Sequence, residues 1–286
     1  MEPDRKQVQQ IETDDLKKLQ AVEIEILNEI KRICEKHSLR YCLIGGTLLG
    51  AVRHQGFIPW DDDLDIVMPR SDYERFCDIC STDLNQGYYL HSIKTDKKYW
   101  LSFAKIRKKD TIFDEQNIAH LDVPKGIYVD IFPLDYSKGE NSKGQAFRTF
   151  FIKQIGRGII AKKGIGEKNS RKFKVRRFLF KPFSIEFLFK LQTYLMKRVK
   201  NGSCYVNFGS NYNTKKQTMP VEFYEPYTFL AFGNGEYPVP QKYSEVLTRI
   251  YGDDYMELPP EEKRITHKPV RLYFGDEIES GDANNE

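Results

Sequence analysis

Four aspartates fall within five positions, Asp61, Asp62, Asp63 and Asp65, and run into the apolar residues Leu64, Ile66, Val67 and Met68, which Pro69 stops. Read as a strand, this stretch alternates: Asp63 and Asp65 share one face while Leu64 and Ile66 point into a core. Their Cα atoms are then roughly 6–7 Å apart, and carboxylates so close repel strongly unless a cation lies between them. Two Mg²⁺ ions about 3.5–4 Å apart, held by such carboxylates, are a common clamp for phosphoryl displacement. Upstream, an apolar strand at 41–44 meets Gly45-Gly46 and then a helical segment at 47–54. That order places unpaired backbone N–H groups and the positive end of a helix where a phosphate could sit, with no Cβ to keep it away. Thr47 could cap this helix or touch a phosphate oxygen. The outline is a metal-dependent phosphoryl-transfer site.

Each part also has a plainer reading. A lone Gly-Gly is usually a turn, and an acidic cluster is more often a solvated loop or a Ca²⁺ site. The Ca²⁺ loop fails here, because Asp61-x-Asp63-x-Asp65 is followed by Ile66 where that loop needs glycine for its sharp turn. Only the combination, in this order and spacing, is specific.

Positioning elements follow from periodicity. Leu16, Leu19, Ile26, Ile30 and Ile33 recur at three- and four-residue steps, predicting an amphipathic helix from 14 to 36–38. Ser71 and Glu74 have the spacing of a capping box for a helix reaching 84. Strands are expected at 88–92 and 101–108. In the second, Lys105 and Arg107 share a face, from which they could reach a diphosphate or simply sit wet on a sheet edge. Arg53, beyond the glycines, is a similar candidate. A further apolar strand at 127–132 is interrupted by Asp130, a carboxylate costly there unless paired or metal-bound. Asp135, after Pro133, reads as a turn or helix-start residue.

The segments Gly45-Gly46-Thr47-Leu48-Leu49-Gly50-Ala51-Val52-Arg53 and Ile58-Pro59-Trp60-Asp61-Asp62-Asp63-Leu64-Asp65 closely resemble the signature of the LicD family. The stretch from Gly126 to Asp135 resembles that family's second acidic strand, and Tyr251 to Pro260 is a weaker echo of its C-terminal segment. The likeness covers roughly residues 20–136. It implies an α/β (α+β) nucleotidyltransferase-like mixed sheet flanked by helices, with an added helical subdomain. It also implies a catalytic, metal-binding triad of Asp63, Asp65 and Asp130 using Mg²⁺ or Mn²⁺, with Gly45, Gly46 and Thr47 positioning the donor. The implied activity is transfer of phosphocholine from CDP-choline or a related CDP donor to a hydroxyl of a cell-surface glycan, lipopolysaccharide or teichoic-acid precursor. Ribitol- or glycerol-phosphate transfer, nucleotidyl transfer, and a non-catalytic glycan- or membrane-binding homologue stay open beside it.

The 286 residues are 40% hydrophobic and 30% charged, with a net charge of only +4, so composition suggests a soluble protein and no nucleic-acid partner. The first nineteen residues are charged and unlike a signal peptide, and five cysteines suit a reducing compartment. The expectation is a cytoplasmic protein. Cys77 and Cys80 share one helix face and read as buried thiols rather than a metal pair. The organisation expected is a catalytic core at 1–139, a basic-aromatic helical insertion at 140–201, a part completing the cleft at 202–275 and a disordered tail at 276–286. In the insertion, Lys172-Phe173-Lys174-Val175-Arg176-Arg177-Phe178 interleaves basic and apolar side chains. Such helices can rest on the inner face of the cell membrane, guide a polyanionic acceptor, or pack their aromatic face on the catalytic half. Aromatics beyond 202, among them Tyr205, Phe208, Tyr212, Tyr224 and Tyr237, could cage a trimethylammonium group or form core. Arg264-Ile265-Thr266-His267-Lys268 is polar enough to reach phosphates.

Overall fold

The computed structural model describes residues 11–166, 168–264, 266–267 and 269–275; the expected tail at 276–286 lies outside the described residues, as do Ile265 and Lys268 of the last polar motif. The first helix, α1 (Thr13–His37), buries Leu19, Ile26, Leu27, Ile30 and Ile33 completely, and each such side chain contributes about 1.5–3 kcal/mol of apolar burial. It stops at Ser38, whose left-handed backbone lets its N–H reach the last carbonyls of the helix.

Then come β1 (Cys42–Leu43), α2 (Gly45–His54), β2 (Asp65–Pro69) and α3 (Arg70–Asp83). The expected Ser71–Glu74 capping box does not form: Pro69 takes the N-cap position with no side-chain cap, and Glu74 pairs instead with Lys197 at 2.7 Å. Cys77 and Cys80 are buried free thiols on α3, as their spacing predicts.

Strands β3 (Tyr88–His91), β4 (Ala104–Lys108), β5 (Ile112–Glu115) and β6 (Tyr128–Ser137) follow. The main sheet runs β1-β2-β6-β4-β3, with β2 parallel to β6 and the other neighbours antiparallel. The long strand β6 pairs β4 through residues 128–131 and β7 (Cys204–Asn207) through 134–137, and β7 in turn pairs β8 (Thr218–Pro220). The chain beyond the insertion thus completes the same sheet. Asp135 is a strand residue, not a turn: it is buried in β6 and accepts two hydrogen bonds from Arg70, at 2.8 and 2.7 Å. The matched guanidinium fork offsets the cost of burying that carboxylate.

Three helices form the insertion: α4 (Lys143–Lys162), α5 (Arg171–Leu179) and α6 (Ile185–Met196). Ile155, Ile159, Leu188 and Phe189 pack with Trp100 and Ile118, tying α4 and α6 to the catalytic half. Ser184 caps α6 by accepting from the N–H of Phe187 at 3.1 Å. The remainder is α7 (Val221–Tyr224), a hairpin of β9 (Thr228–Phe232) and β10 (Gly235–Val239), α8 (Tyr243–Tyr251), and β11 (Pro269–Tyr273) on β5. Among the described residues, no helix is long and apolar enough to cross a membrane.

Candidate active site

Strand register brings three charged residues into one row. Asp65 of β2 lies opposite Asp130 of β6, and Lys105 of β4 lies opposite Asp130 on its other side. Period-two alternation sends Val129 and Ile131 to the other face, where both are fully buried. Lys105 Nζ is 2.6 Å from Asp130 Oδ1 and sits 3.3 Å from the centre of the Tyr128 ring. Burial pushes the Asp130 pKa up, and the Lys105 charge opposes that rise.

Asp61, Asp62 and Asp63 belong to the loop before β2, not to the strand. Asp63 therefore reaches the row from the loop, and only Asp65 follows the alternation read from sequence. Asp62 turns to the C-terminal segment: its Oδ2 accepts the backbone N–H of His267 at 2.7 Å, and its Oδ1 lies 3.1 Å from His267 Nδ1. His267 Nε2 is 3.9 Å from Asp63 Oδ2. Burial would lower the His267 pKa, yet Asp62 and Asp63 push it up to about 10, which keeps the imidazole cationic at neutral pH.

Asp61 Oδ2 is buried without a hydrogen-bond partner, and so is Oε2 of Glu23 on α1. Burial, then repulsion from Asp63, Asp62, Asp61 and Asp65, raises the Glu23 pKa well above the ordinary range. The pKa values of Asp61, Asp63 and Asp65 are raised too, first by burial and then, for Asp61 and Asp65, by the neighbouring carboxylates. For Asp63 the His267 charge opposes the rise.

The glycines make room for these carboxylates at the start of α2. Gly45 has φ +62°, a conformation in which a side chain is strained, and a Cβ there would lie 3.3 Å from Asp65 Oδ2. At Gly46 a Cβ would meet Asp61 Oδ2 at 2.7 Å. The first N–H groups of a helix have no carbonyl partner within it, so the acidic row faces the positive end of α2. Thr47 neither caps the helix nor lines the cleft: its Oγ1 accepts the N–H of Asp65 at 2.8 Å and fixes the start of β2.

Around this row opens a cleft of about 680 Å³. Gly45, Gly46, Asp61, Asp62, Asp63, Asp65 and Asp130 line one part, and Thr266 and His267 lie beside them. Aromatic rings supply much of the rest: Trp60, Trp100, Phe103, Phe132, Phe208, Tyr212 and Tyr251. Phe103 and Phe132 are 4.1 Å apart centre to centre, and Tyr212 and Tyr251 meet edge to face at 5.8 Å. Of the aromatics expected to cage a cation, Phe208 and Tyr212 reach the cleft, whereas Tyr205, Tyr224 and Tyr237 are core.

Two cations face the cleft from α4, Lys153 and Arg157. No motif marks them in the sequence; their signal is a four-residue spacing beside Ile152, Gly156 and Ile160, which line the same wall. Two expected phosphate ligands stand elsewhere. Arg107 is fully buried, its guanidinium donating to His91 Nδ1 at 3.0 Å and the Gly126 carbonyl at 2.6 Å. Arg53 donates to the carbonyls of Tyr255 and Glu257, each at 3.0 Å, and so ties α2 to the segment after α8. Lys105 is committed to Asp130.

The donor set suits a hard divalent cation. The carboxylates with raised pKa all offer oxygen ligands, and Asp61 brings a buried oxygen that nothing in the described chain satisfies. Asp62, Asp63 and His267 also bring one potential ligand atom each within 4.8 Å of one another, where His267 would have to give up its proton to coordinate an ion.

A family profile described as LicD/FKTN/FKRP, nucleotidyltransferase domain, matches residues 38–185. The chain is 31% identical over 278 residues to the lipopolysaccharide cholinephosphotransferase LicD of Haemophilus influenzae, covering 91% of this chain and 98% of that protein. An uncharacterized protein of Rickettsia prowazekii is 33% identical over 116 residues, 38% of this chain and 44% of its own. With its mixed sheet, its acidic row and these matches over most of its length, the chain belongs to the LicD family.

Proposed function

We propose that this chain is a metal-dependent transferase that moves phosphocholine from a CDP-linked donor to a hydroxyl of a cell-surface glycan or teichoic-acid precursor. The observation that carries this reading is the convergence of Asp63, Asp65 and Asp130 beside Gly45 and Gly46 at the start of α2, in a cleft lined with aromatic rings. The likeness to a lipopolysaccharide cholinephosphotransferase supports the cargo and a glycan acceptor.

Asp63, Asp65 and Asp130, with Asp61 beside them, would hold Mg²⁺ or Mn²⁺. When bound, such an ion neutralises the carboxylates and draws charge from the phosphates. The chain's own groups do the rest. Asp130 takes the proton of the attacking hydroxyl, and Lys105 holds that carboxylate in place. A new acceptor O–P bond forms as the P–O bond to cytidine monophosphate breaks. Lys153 and Arg157 receive the charge of the donor diphosphate from the opposite wall. The rings of the cleft offer π faces to a quaternary ammonium.

The test is a donor panel with purified protein, Mg²⁺ and cytidine-diphosphate compounds, scored by mass spectrometry for the monophosphate. CDP-choline is expected to turn over fastest, and Asp63→Ala or Asp130→Asn to lower turnover at least a hundredfold. A preference for CDP-ribitol or CDP-glycerol would reassign the cargo; wild-type turnover in both variants would remove the triad.

A further inference from the structure

The insertion carries a surface that the cleft does not use. From Lys143 to Lys200 the sequence holds 17 lysines and arginines against two glutamates, in a chain whose net charge is only +4. The rest of the chain is therefore net acidic, and the cationic charge is gathered on three helices and the segments that join and follow them.

Helix α5 has little reason to be helical from packing alone. Phe173 is its one buried residue, whereas Val175, Phe178 and Leu179 are 49%, 75% and 60% exposed. These three stand at i, i+3 and i+4, a continuous apolar stripe turned away from the core. In the turn and the first residues of α6, Phe183 and Phe187 stack with ring centres 5.7 Å apart and are also exposed. Beside the stripe lies a hollow of about 430 Å³ lined by Lys162, Lys174, Arg177, Phe178 and Lys181, with no acidic residue in its wall among the described residues. Four cations around an exposed phenylalanine match an anionic headgroup at the level where its acyl chains begin.

We propose that α5 and the turn into α6 form a docking surface for a bilayer containing anionic phospholipid. Phosphate occupies the hollow between Lys162, Lys174, Arg177 and Lys181, and Phe178, Leu179 and Val175 enter the headgroup–acyl boundary. Charge complementarity selects this partner over a symmetric pairing with a second copy of the chain, since two such surfaces would oppose cation to cation. The arrangement also has a direction. Lys162 of the hollow lies five residues beyond Arg157 of the cleft wall on the same helix α4, roughly 8 Å along its axis. A membrane-borne substrate would meet the cleft at the bilayer surface.

Sedimentation with vesicles tests this without using the transfer reaction, so its failure would leave the reading of the cleft standing. The full chain is expected to bind phosphatidylcholine vesicles carrying 30% phosphatidylglycerol and not pure phosphatidylcholine, with affinity falling as salt rises. Lys174→Gln/Arg177→Gln should bind about 25-fold less tightly, at roughly fivefold per charge, with an unchanged circular dichroism spectrum and melting midpoint. In Phe178→Trp, emission should shift to the blue on adding anionic vesicles, above the background of Trp60 and Trp100. Equal binding to neutral vesicles, wild-type binding by the double variant, or vesicle-bound Phe178→Trp protein whose emission does not move would overturn the proposal. So would a micromolar dimer in sedimentation velocity that Phe178→Ser dissolves, because the stripe would then belong to a second copy.

Discussion

Lys105 and Asp130 meet across adjacent strands with Nζ 2.6 Å from Oδ1, both almost wholly buried beside Asp65. Removing one partner of such a pair leaves an uncompensated charge, commonly a loss of about 3–5 kcal/mol. Lys105→Met is expected to lower unfolding stability by that amount and to abolish turnover. Lys105→Met/Asp130→Asn should recover part of the stability and none of the activity. Urea midpoints of both single variants and the double, beside turnover measurements, would separate the two effects; losses in the double equal to the sum of those in Lys105→Met and Asp130→Asn would show that the pair is not coupled.

Gly46 is a steric test of the acidic loop. A Cβ at this position would lie 2.7 Å from Asp61 Oδ2, the free end of a side chain. Gly46→Ala should therefore fold, with a melting point within a few degrees of wild type, and lose at least tenfold in turnover as Asp61 is displaced. Gly45→Ala adds backbone strain at φ +62°, about 1–2 kcal/mol, so it should lose stability as well as rate.

The acidic row predicts how divalent ions act on stability. Raised carboxyl pKa values mean that the folded chain holds protons the unfolded chain releases. Metal-free stability should accordingly fall as pH rises above the ordinary carboxylate range. Mg²⁺ or Mn²⁺ should raise the melting midpoint more at pH 8 than at pH 5, since protons compete for the same oxygens. Differential scanning fluorimetry at both pH values reads this directly, and Asp63→Asn/Asp65→Asn should erase the metal-dependent shift.

His91 sets a separate acid limit. Burial first, and the Arg107 charge second, push its pKa down to about 4, while Asp96 pulls the other way. The unfolded histidine binds its proton near pH 6.5, so stability is lost as pH falls through 6.5 and the loss levels off below about 4. The expected loss is about 3 kcal/mol, at roughly 1.4 kcal/mol per pKa unit. His91→Gln should flatten this part of the stability profile, measured by urea titration at pH 7, 5.5 and 4.5.

Local chemistry made much of this molecule legible. The apolar spacing of α1, the glycines between β1 and a helix, and the interrupted strand carrying Asp130 are all properties of neighbouring residues, and each is present, although the glycines open α2 rather than precede it and the strand runs on past 132 to Ser137. What escaped depended on long-range pairing. Arg107 has the same alternation as Lys105, but only the β3–β4 pairing brings His91, diagonally across the ladder, within hydrogen-bond reach of it. Asp135 follows a proline that suggests a turn, and its strand position rests on Arg70, 65 residues away. Lys153 and Arg157 sit in a segment without a recognisable motif, and nothing local says that α4 turns them toward the cleft.

Strand pairing between β2 and β6 carries an implication for evolution. If β6 slid by one residue, Asp65 would find Val129 or Ile131 where Asp130 now stands, and a carboxylate would be thrust among hydrocarbon side chains. Misthreading thus penalises foldability and erases chemistry in one move. Selection on either trait guards the other.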